Sequence, residues 1–281
     1  MYISQIIDMT NVNKRNHFSI YPLMVLISYT CFLFSSCSSS HDEIFSNDSD
    51  CKELFVDLES KECYDIDSVY GIADYIRLET NDSCLIGKIS KLLVTDNEII
   101  VVDKKIANGV FVFNRDGSFR TQISRHGRGP REYLDISDVF LSYDGKEICI
   151  TDFEHERILV YNLLGRYLRT IKNMTWYRGV ESLDSCTLIA YDRFDFMRTG
   201  GSFLSLDQSN EINYSFGKNI YSSKLTICRY QNLYKFYDGV YGIVDFKNTI
   251  YKFTKDSVYA CYHITTTPKI IDGEKFRNDI Q

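Results

Sequence analysis

The chain of 281 residues carries 32 Lys and Arg against 38 Asp and Glu, a net charge of -6, with 44% apolar and 25% charged residues. That is ordinary globular composition with enough apolar mass for a core, and the acidic balance excludes a sequence-independent nucleic-acid binder, which needs a basic face to displace counterions from phosphates. Aromatics make up 14% of the residues while Pro occurs only 3 times, so few positions forbid a hydrogen-bonded ladder and sheet is favoured.

In chain order, Lys14 and Arg15 precede an apolar run from Ile20 to Phe34, the length of a signal-peptide core and short of the ~20 residues a membrane span needs. The run ends Leu33-Phe34-Ser35-Ser36-Cys37. Small residues directly before a cysteine resemble the lipobox at which a bacterial lipoprotein is acylated and cut, which makes Cys37 the lipidation site and the first residue of the mature chain. An ordinary secretory signal cut nearby is the alternative. The stretch from Ser38 through Asp50 is polar and acidic with almost nothing to bury, and reads as a flexible tether. Its acidic residues just behind the cysteine resemble a surface-export signal of Bacteroides-like lipoproteins, so both a cell-surface and a periplasm-facing anchor stay open.

Beyond residue 70 the text becomes short alternating apolar runs between turn signals, an all-β pattern. It also repeats. Glu98-Ile-Ile-Val-Val-Asp103, Val110-Phe-Val-Phe-Asn114, Gly117 and Ile123 return as Glu147-Ile-Cys-Ile-Thr-Asp152, Ile158-Leu-Val-Tyr-Asn162, Gly165 and Ile171. Weaker copies lie at Leu188 to Asp207 and Tyr241 to Phe253. A period in the forties with several strands per unit is the signature of propeller blades, each a sheet that buries both faces only between neighbours. The best unit predicts strands at Lys88 to Val94, Glu98 to Val102, Val110 to Asn114 and Ser118 to Ile123. Tyr75 to Thr80 precedes the first of them, and is expected to close the ring as the outer strand of the last blade. The repeat spacing leaves room for between four and five blades from Tyr70 onward.

The loop Ser124-Arg125-His126-Gly127-Arg128-Gly129-Pro130-Arg131-Glu132-Tyr133, with Tyr75 to Thr80, Leu85-Ile86-Gly87 and Asn248-Thr249-Ile250-Tyr251, resembles the six-bladed β-propeller lipoproteins of Bacteroides-like bacteria, relatives of the NHL-repeat propellers. Arg131 departs from the family's usual small residue before the Glu. The resemblance implies an all-β propeller of four-stranded blades, with an incomplete ring in this chain, and a place in the cell envelope as an outer-membrane lipoprotein. It implies no activity, because fold does not carry chemistry. The expected division is a signal peptide over 1–36, a lipidated tether and lead-in over 37–69, and the propeller over 70–281.

Candidate chemistry is sparse. The loop residues Arg125, Arg128, Arg131, Glu132 and Tyr133 lie on the face where propellers bind ligands and could grip an anionic or sugar ligand through bidentate guanidinium contacts. The structural alternative is a sharp crossover shaped by Gly127, Gly129 and Pro130, with Arg125 and Glu132 paired inside it. Trp176 beside Tyr177 could stack on a sugar ring or fill a core. Asp103, Asp152, Asp192 and Asp245 each follow the second strand of a unit; since they recur, they are expected to cap loop backbones rather than hold Ca2+ or another divalent ion. The histidines show no metal-ligand spacing, and no nucleophile elbow or phosphate loop appears. Of nine cysteines, the seven beyond Cys37 are expected to be mostly buried small hydrophobes, with Cys51 and Cys63 the one pairing to test. The expected function is a membrane-anchored, exported binding module for a protein or glycan, with no nucleic acid partner and no cofactor. The rival is a divalent-metal-dependent propeller lyase or lactonase.

Overall fold

The structure is a computed structural model that describes residues 51–60, 71, 75–172, 177–192, 202–207, 209–217, 232–244 and 247–268. Cys37, the signal segment, Cys63 and Trp176 lie outside the described residues, and with Cys63 goes its pairing with Cys51.

Four antiparallel meanders follow one another along the chain. The first is β2 (Lys91–Val94), β3 (Glu98–Asp103), β4 (Gly109–Asn114) and β5 (Phe119–Ile123). The second is β6 (Asp138–Leu141), β7 (Glu147–Asp152), β8 (Arg157–Asn162) and β9 (Tyr167–Lys172). The third is β10 (Tyr177–Ser182), β11 (Leu188–Asp192), β12 (Phe203–Leu206) and β13 (Ile212–Phe216); the fourth is β14 (Leu233–Phe236), β15 (Gly239–Ile243), β16 (Thr249–Phe253) and β17 (Val258–Thr267). The first strands of successive sheets touch, β2 with β6, β6 with β10 and β10 with β14. The molecule is therefore an all-β propeller with four blades among the described residues.

The sequence repeat is a structural repeat down to its irregularities. Pairing of the third and fourth strands slips by a residue at Val112/Phe113 in the first blade, at Val160/Tyr161 in the second and at Ser205/Leu206 in the third. The preceding hairpin turns place Gly117 at φ +89° and Gly165 at φ +72°, a region that side chains disfavour. Alternation then sends one face of each sheet to each neighbour. Ile100, Val102 and Val112 of blade 1 meet Val139, Ile148, Ile150 and Leu159 of blade 2. Cys149, Ile158 and Val160 of blade 2 meet Val180, Ala190 and Leu204 of blade 3, and Tyr191, Phe203 and Phe216 of blade 3 meet Val240, Tyr251 and Phe253 of blade 4. Full burial of each such aliphatic side chain is worth about 2 kcal/mol, so inter-blade packing dominates. Of the cysteines among the described residues, Cys84 and Cys149 are buried among these apolar groups, but Cys51 and Cys261 are half-buried and Cys186 is exposed, so the expectation that most are core residues is corrected. Burial pushes the Cys149 thiol up to about 12.

The expected ring closure is corrected in its detail. Tyr75 to Thr80 forms no strand; it runs against the β4–β5 turn of the first blade, where Glu79 N–H donates to Gly117 O at 2.8 Å and Phe119 N–H to Glu79 Oε2 at 2.8 Å. Leu78, Cys84 and Ile86 thereby cover the outer face of blade 1. The amino-terminal strand that joins the last sheet is instead β1 (Lys52–Asp57), which pairs in parallel with β17. It comes from the segment read as lead-in, because alternation in Lys52-Glu-Leu-Phe-Val-Asp57 is too brief to stand out beside acidic text.

Candidate functional site

Register decides which loops share an end of the propeller. Asp103, the last residue of β3, pairs with Gly109, and Ile123, the last of β5, pairs with Val110. Asp138 at the start of β6 faces Thr151 near the end of β7. Loops 104–108, 124–137 and 153–156 therefore emerge on one face, and the arginine loop lies there.

That loop is pinned at several points. Tyr133 is fully buried, and its hydroxyl donates to Asn108 O at 2.9 Å and Ile123 O at 3.0 Å. Its backbone N–H donates to Arg125 O and its carbonyl accepts from Gly127 N–H. Burial pushes the Tyr133 phenol well above its usual range. Glu132 turns its carboxylate onto Gly129 N–H at 2.9 Å and makes no ion pair with Arg125. From blade 2, Arg157 Nη2 donates to Gly129 O at 3.2 Å and to Glu132 O, while its Nε donates to Asp152 Oδ2 at 3.2 Å. Tyr161 hydroxyl reaches Arg131 O at 3.0 Å, and the Arg131 guanidinium lies 5.2 Å above the Tyr167 ring. Arg125, Arg128, Arg131 and Glu132 are exposed. Among the described residues the guanidinium groups of Arg125 and Arg128 make no hydrogen bond or ion pair.

The loop thus contains a division of labour that the sequence only half showed. Tyr133, a candidate ligand contact on the sequence, is a core residue here, and Arg157, which the sequence reading passed over, is the clamp. A single arginine opening a repeat strand gives no signal until its partner carbonyls are located.

The recurrent aspartates behave individually. Asp103 accepts four backbone N–H bonds, from Gly87 and Lys88 at 2.8 Å, Lys105 at 3.0 Å and Ile106 at 2.9 Å. Burial alone would raise its pKa, but these donors outweigh it and hold the carboxyl below the usual range. Asp152 instead bonds side chains, with His155 Nδ1 at 2.6 Å and Arg157. Asp245 and the Asp192 side chain lie outside the described residues. Among the described residues no group of three His, Cys, Asp or Glu side chains stands where it could hold a metal ion.

A constellation absent from the sequence reading sits on the first strands. Lys91 of β2 ion-pairs with Asp138 of β6 at 3.2 Å and with Glu181 of β10 at 2.8 Å, all three side chains nearly buried. Lys104 adds a bond to Asp138 at 3.3 Å, and Val180 N–H donates to the same carboxylate. Lys235 of β14 donates to Ser182 Oγ at 2.7 Å. Burial opposes charge throughout. Even so, Lys91 is held above its ordinary value by the two carboxylates, and Asp138 below its own by Lys91 and Lys104. Glu181 is the less compensated partner, pushed up by burial and by Asp138 beyond what Lys91 offsets.

A family model described as "Domain of unknown function (DUF4934)" matches residues 56–280. Among solved structures, the chain is similar to a Bacteroides fragilis protein named "Putative exported protein (BF0058)", with 22% identity and a TM-score of 0.67 over 76% of this chain and 60% of that one. The chain thus spans three-fifths of that neighbour's length. A member of the duf4221 family from Bacteroides vulgatus aligns at 12% identity and a TM-score of 0.45, over 66% of this chain and 61% of its own. No curated protein matches. These likenesses concern the fold. No helix among the described residues is long and apolar enough to cross a membrane.

Proposed function

The chain belongs to the DUF4934 family, and from that premise we propose that it is an exported, membrane-anchored binding module of the β-propeller type that recognises an anionic ligand on its arginine-loop face. The carrying observation is that Arg125 and Arg128 present guanidinium groups uncommitted among the described residues, from a loop whose backbone is fixed by Tyr133, Glu132 and Arg157. A binding group on a rigidly held loop loses little entropy on contact, and a guanidinium fork matches carboxylate, sulfate or phosphate oxygens. Arg131 is in part occupied by Tyr167, so its contribution is the smaller; Trp176 remains a candidate stacking partner. The ligand is a protein or a glycan bearing such groups, and the reading needs no cofactor.

Export rests on the amino-terminal text from Lys14 to Cys37, and the name of the Bacteroides fragilis neighbour points the same way. Cys37 is the lipidation site in this proposal, placing the propeller on the outer membrane. In this proposal the repeat is of the six-bladed type, with four blades among the described residues.

The test is binding of the chain from Ser38 onward to a uronate-bearing polysaccharide, a neutral polysaccharide and an acidic peptide at two salt concentrations. Salt-sensitive binding to an acidic probe, lost in Arg125→Ala/Arg128→Ala but not in an Arg115→Ala control from another loop, supports the reading. Binding indifferent to the double substitution overturns it. Lipidation is read separately, by fatty-acid labelling of cells carrying the wild type or Cys37→Ser.

A further inference from the structure

Among the described residues the charges on the first strands make no hydrogen bond or ion pair with Arg125 or Arg128, and they ask for a role of their own. Three carboxylate oxygens surround one nitrogen: Lys91 Nζ lies 3.2 and 3.4 Å from the two oxygens of Asp138 and 2.8 Å from Glu181 Oε1. The side chains are 8%, 10% and 4% exposed for Lys91, Asp138 and Glu181. They come from blades 1, 2 and 3, separated by 47 and 90 residues in the chain. Two buried carboxylates on one centre repel each other and lose hydration, so each needs a cation. Asp138 has a second one in Lys104; among the described residues, Lys91 is the only cation within ion-pair distance of Glu181.

We propose that Asp138 and Glu181 form a cation site whose resident cation is the Lys91 ammonium, a charge supplied by the chain itself that ties blade 1 to blade 3 across blade 2. Oxygen donors from two carboxylates are the ligands a hard divalent ion takes, with waters completing the shell. The wild-type ring is thus already filled at this point and holds no divalent ion there. Removing the Lys91 side chain leaves two anions and the volume of an alkylammonium, and a free cation can then enter. This inference does not depend on what the loop face binds.

The experiment is a set of thermal melts of the full chain and of Lys91→Ala, in sodium chloride with chelator and in calcium chloride at matched ionic strength. Wild type is expected to melt alike in both. Lys91→Ala is expected to fall by roughly 10 °C in sodium, as breaking a buried pair in a domain of this size does, and to regain at least half of the loss in millimolar calcium. Lys91→Ala/Glu181→Gln should melt above the single variant and ignore calcium, since the uncompensated charge is gone. If Lys91→Ala does not fold in sodium, recovery on refolding in calcium supports the proposal and failure in both salts overturns it. A Lys91→Ala melt equal to wild type, a fall with no response to calcium, or a stoichiometric divalent ion retained by the wild type likewise overturns it.

Discussion

Tyr133→Phe separates the structural role of the arginine loop from its binding role. The substitution keeps the ring, which is fully buried, and deletes only the hydroxyl. That hydroxyl donates a shared bond to Asn108 O and Ile123 O, at 2.9 and 3.0 Å. Both acceptors sit where water cannot replace it readily, so the loss is the net worth of a buried hydrogen bond plus part of the cost of an unsatisfied carbonyl, about 2 kcal/mol. For a domain of this size that is a fall in Tm of roughly 4–8 °C. Scanning calorimetry reads the shift, and urea titration should show a lower midpoint at an unchanged slope, because the folded state buries the same surface. Binding of an acidic probe by Tyr133→Phe should persist below its melting transition, since Arg125 and Arg128 are untouched. A melt within about 1 °C of wild type, combined with loss of binding, would refute the reasoning and make Tyr133 a ligand contact after all.

Two further perturbations follow from the hairpin turns and the loop caps. A Cβ on Gly117, at φ +89°, would overlap the backbone carbonyl of Arg77, whereas one on Gly145, at φ +70°, meets nothing nearer than Thr95 Cγ2 at 3.9 Å. Gly145→Ala is therefore expected to cost about 1 kcal/mol for its backbone conformation alone, and Gly117→Ala at least twice that; chemical denaturation of the pair gives the comparison, and equal losses would show that the segment from Tyr75 to Glu79 is not seated on the turn. Asp103→Ala removes the acceptor of four backbone N–H groups and is expected to cost about 3 kcal/mol at neutral pH. Because the folded carboxyl lies below its ordinary value, its contribution is complete above the unfolded pKa of about 4 and is lost as pH falls through the lower folded value. The gap between wild type and variant in melts across this range should close on the acid side, and a gap constant down to acid would refute the cap assignment.

The repeat from Glu98 through Ile171 made the blades legible, because alternation, a glycine turn and the third-to-fourth-strand spacing recur together at each copy. The strand at Lys52 to Asp57 was not legible: its pairing with β17 joins residues more than 200 positions apart, as the Glu53 to Thr265 contact shows, and nothing local records that partner. The arginine loop was legible as a place and not as a mechanism. Its glycines and charges announce a shaped turn, but whether Tyr133 faces ligand or core depends on Asn108 and Ile123, and whether Glu132 pairs with Arg125 depends on the nearer Gly129 N–H.

The charges on the first strands escaped for a different reason. Lys91 and Asp138 open their four-residue strands at equivalent registers, opposite Val102 and Thr151, yet they carry opposite signs, so a search for recurring residues discards both. Glu181 sits nearer the end of its strand, opposite Ile189, and is offset again. Asp103 and its counterpart Asp152 keep the same residue type although only Asp103 caps backbone N–H groups; a network shared between blades needs complementary residues and so must differ from copy to copy. In a repeat protein, a charged position that opens an apolar strand and changes sign between copies is therefore a sequence mark of contact between blades. On that rule the sign change from Lys91 to Asp138 could have been read before any fold was known, and the Lys91→Ala melts test the rule along with the site.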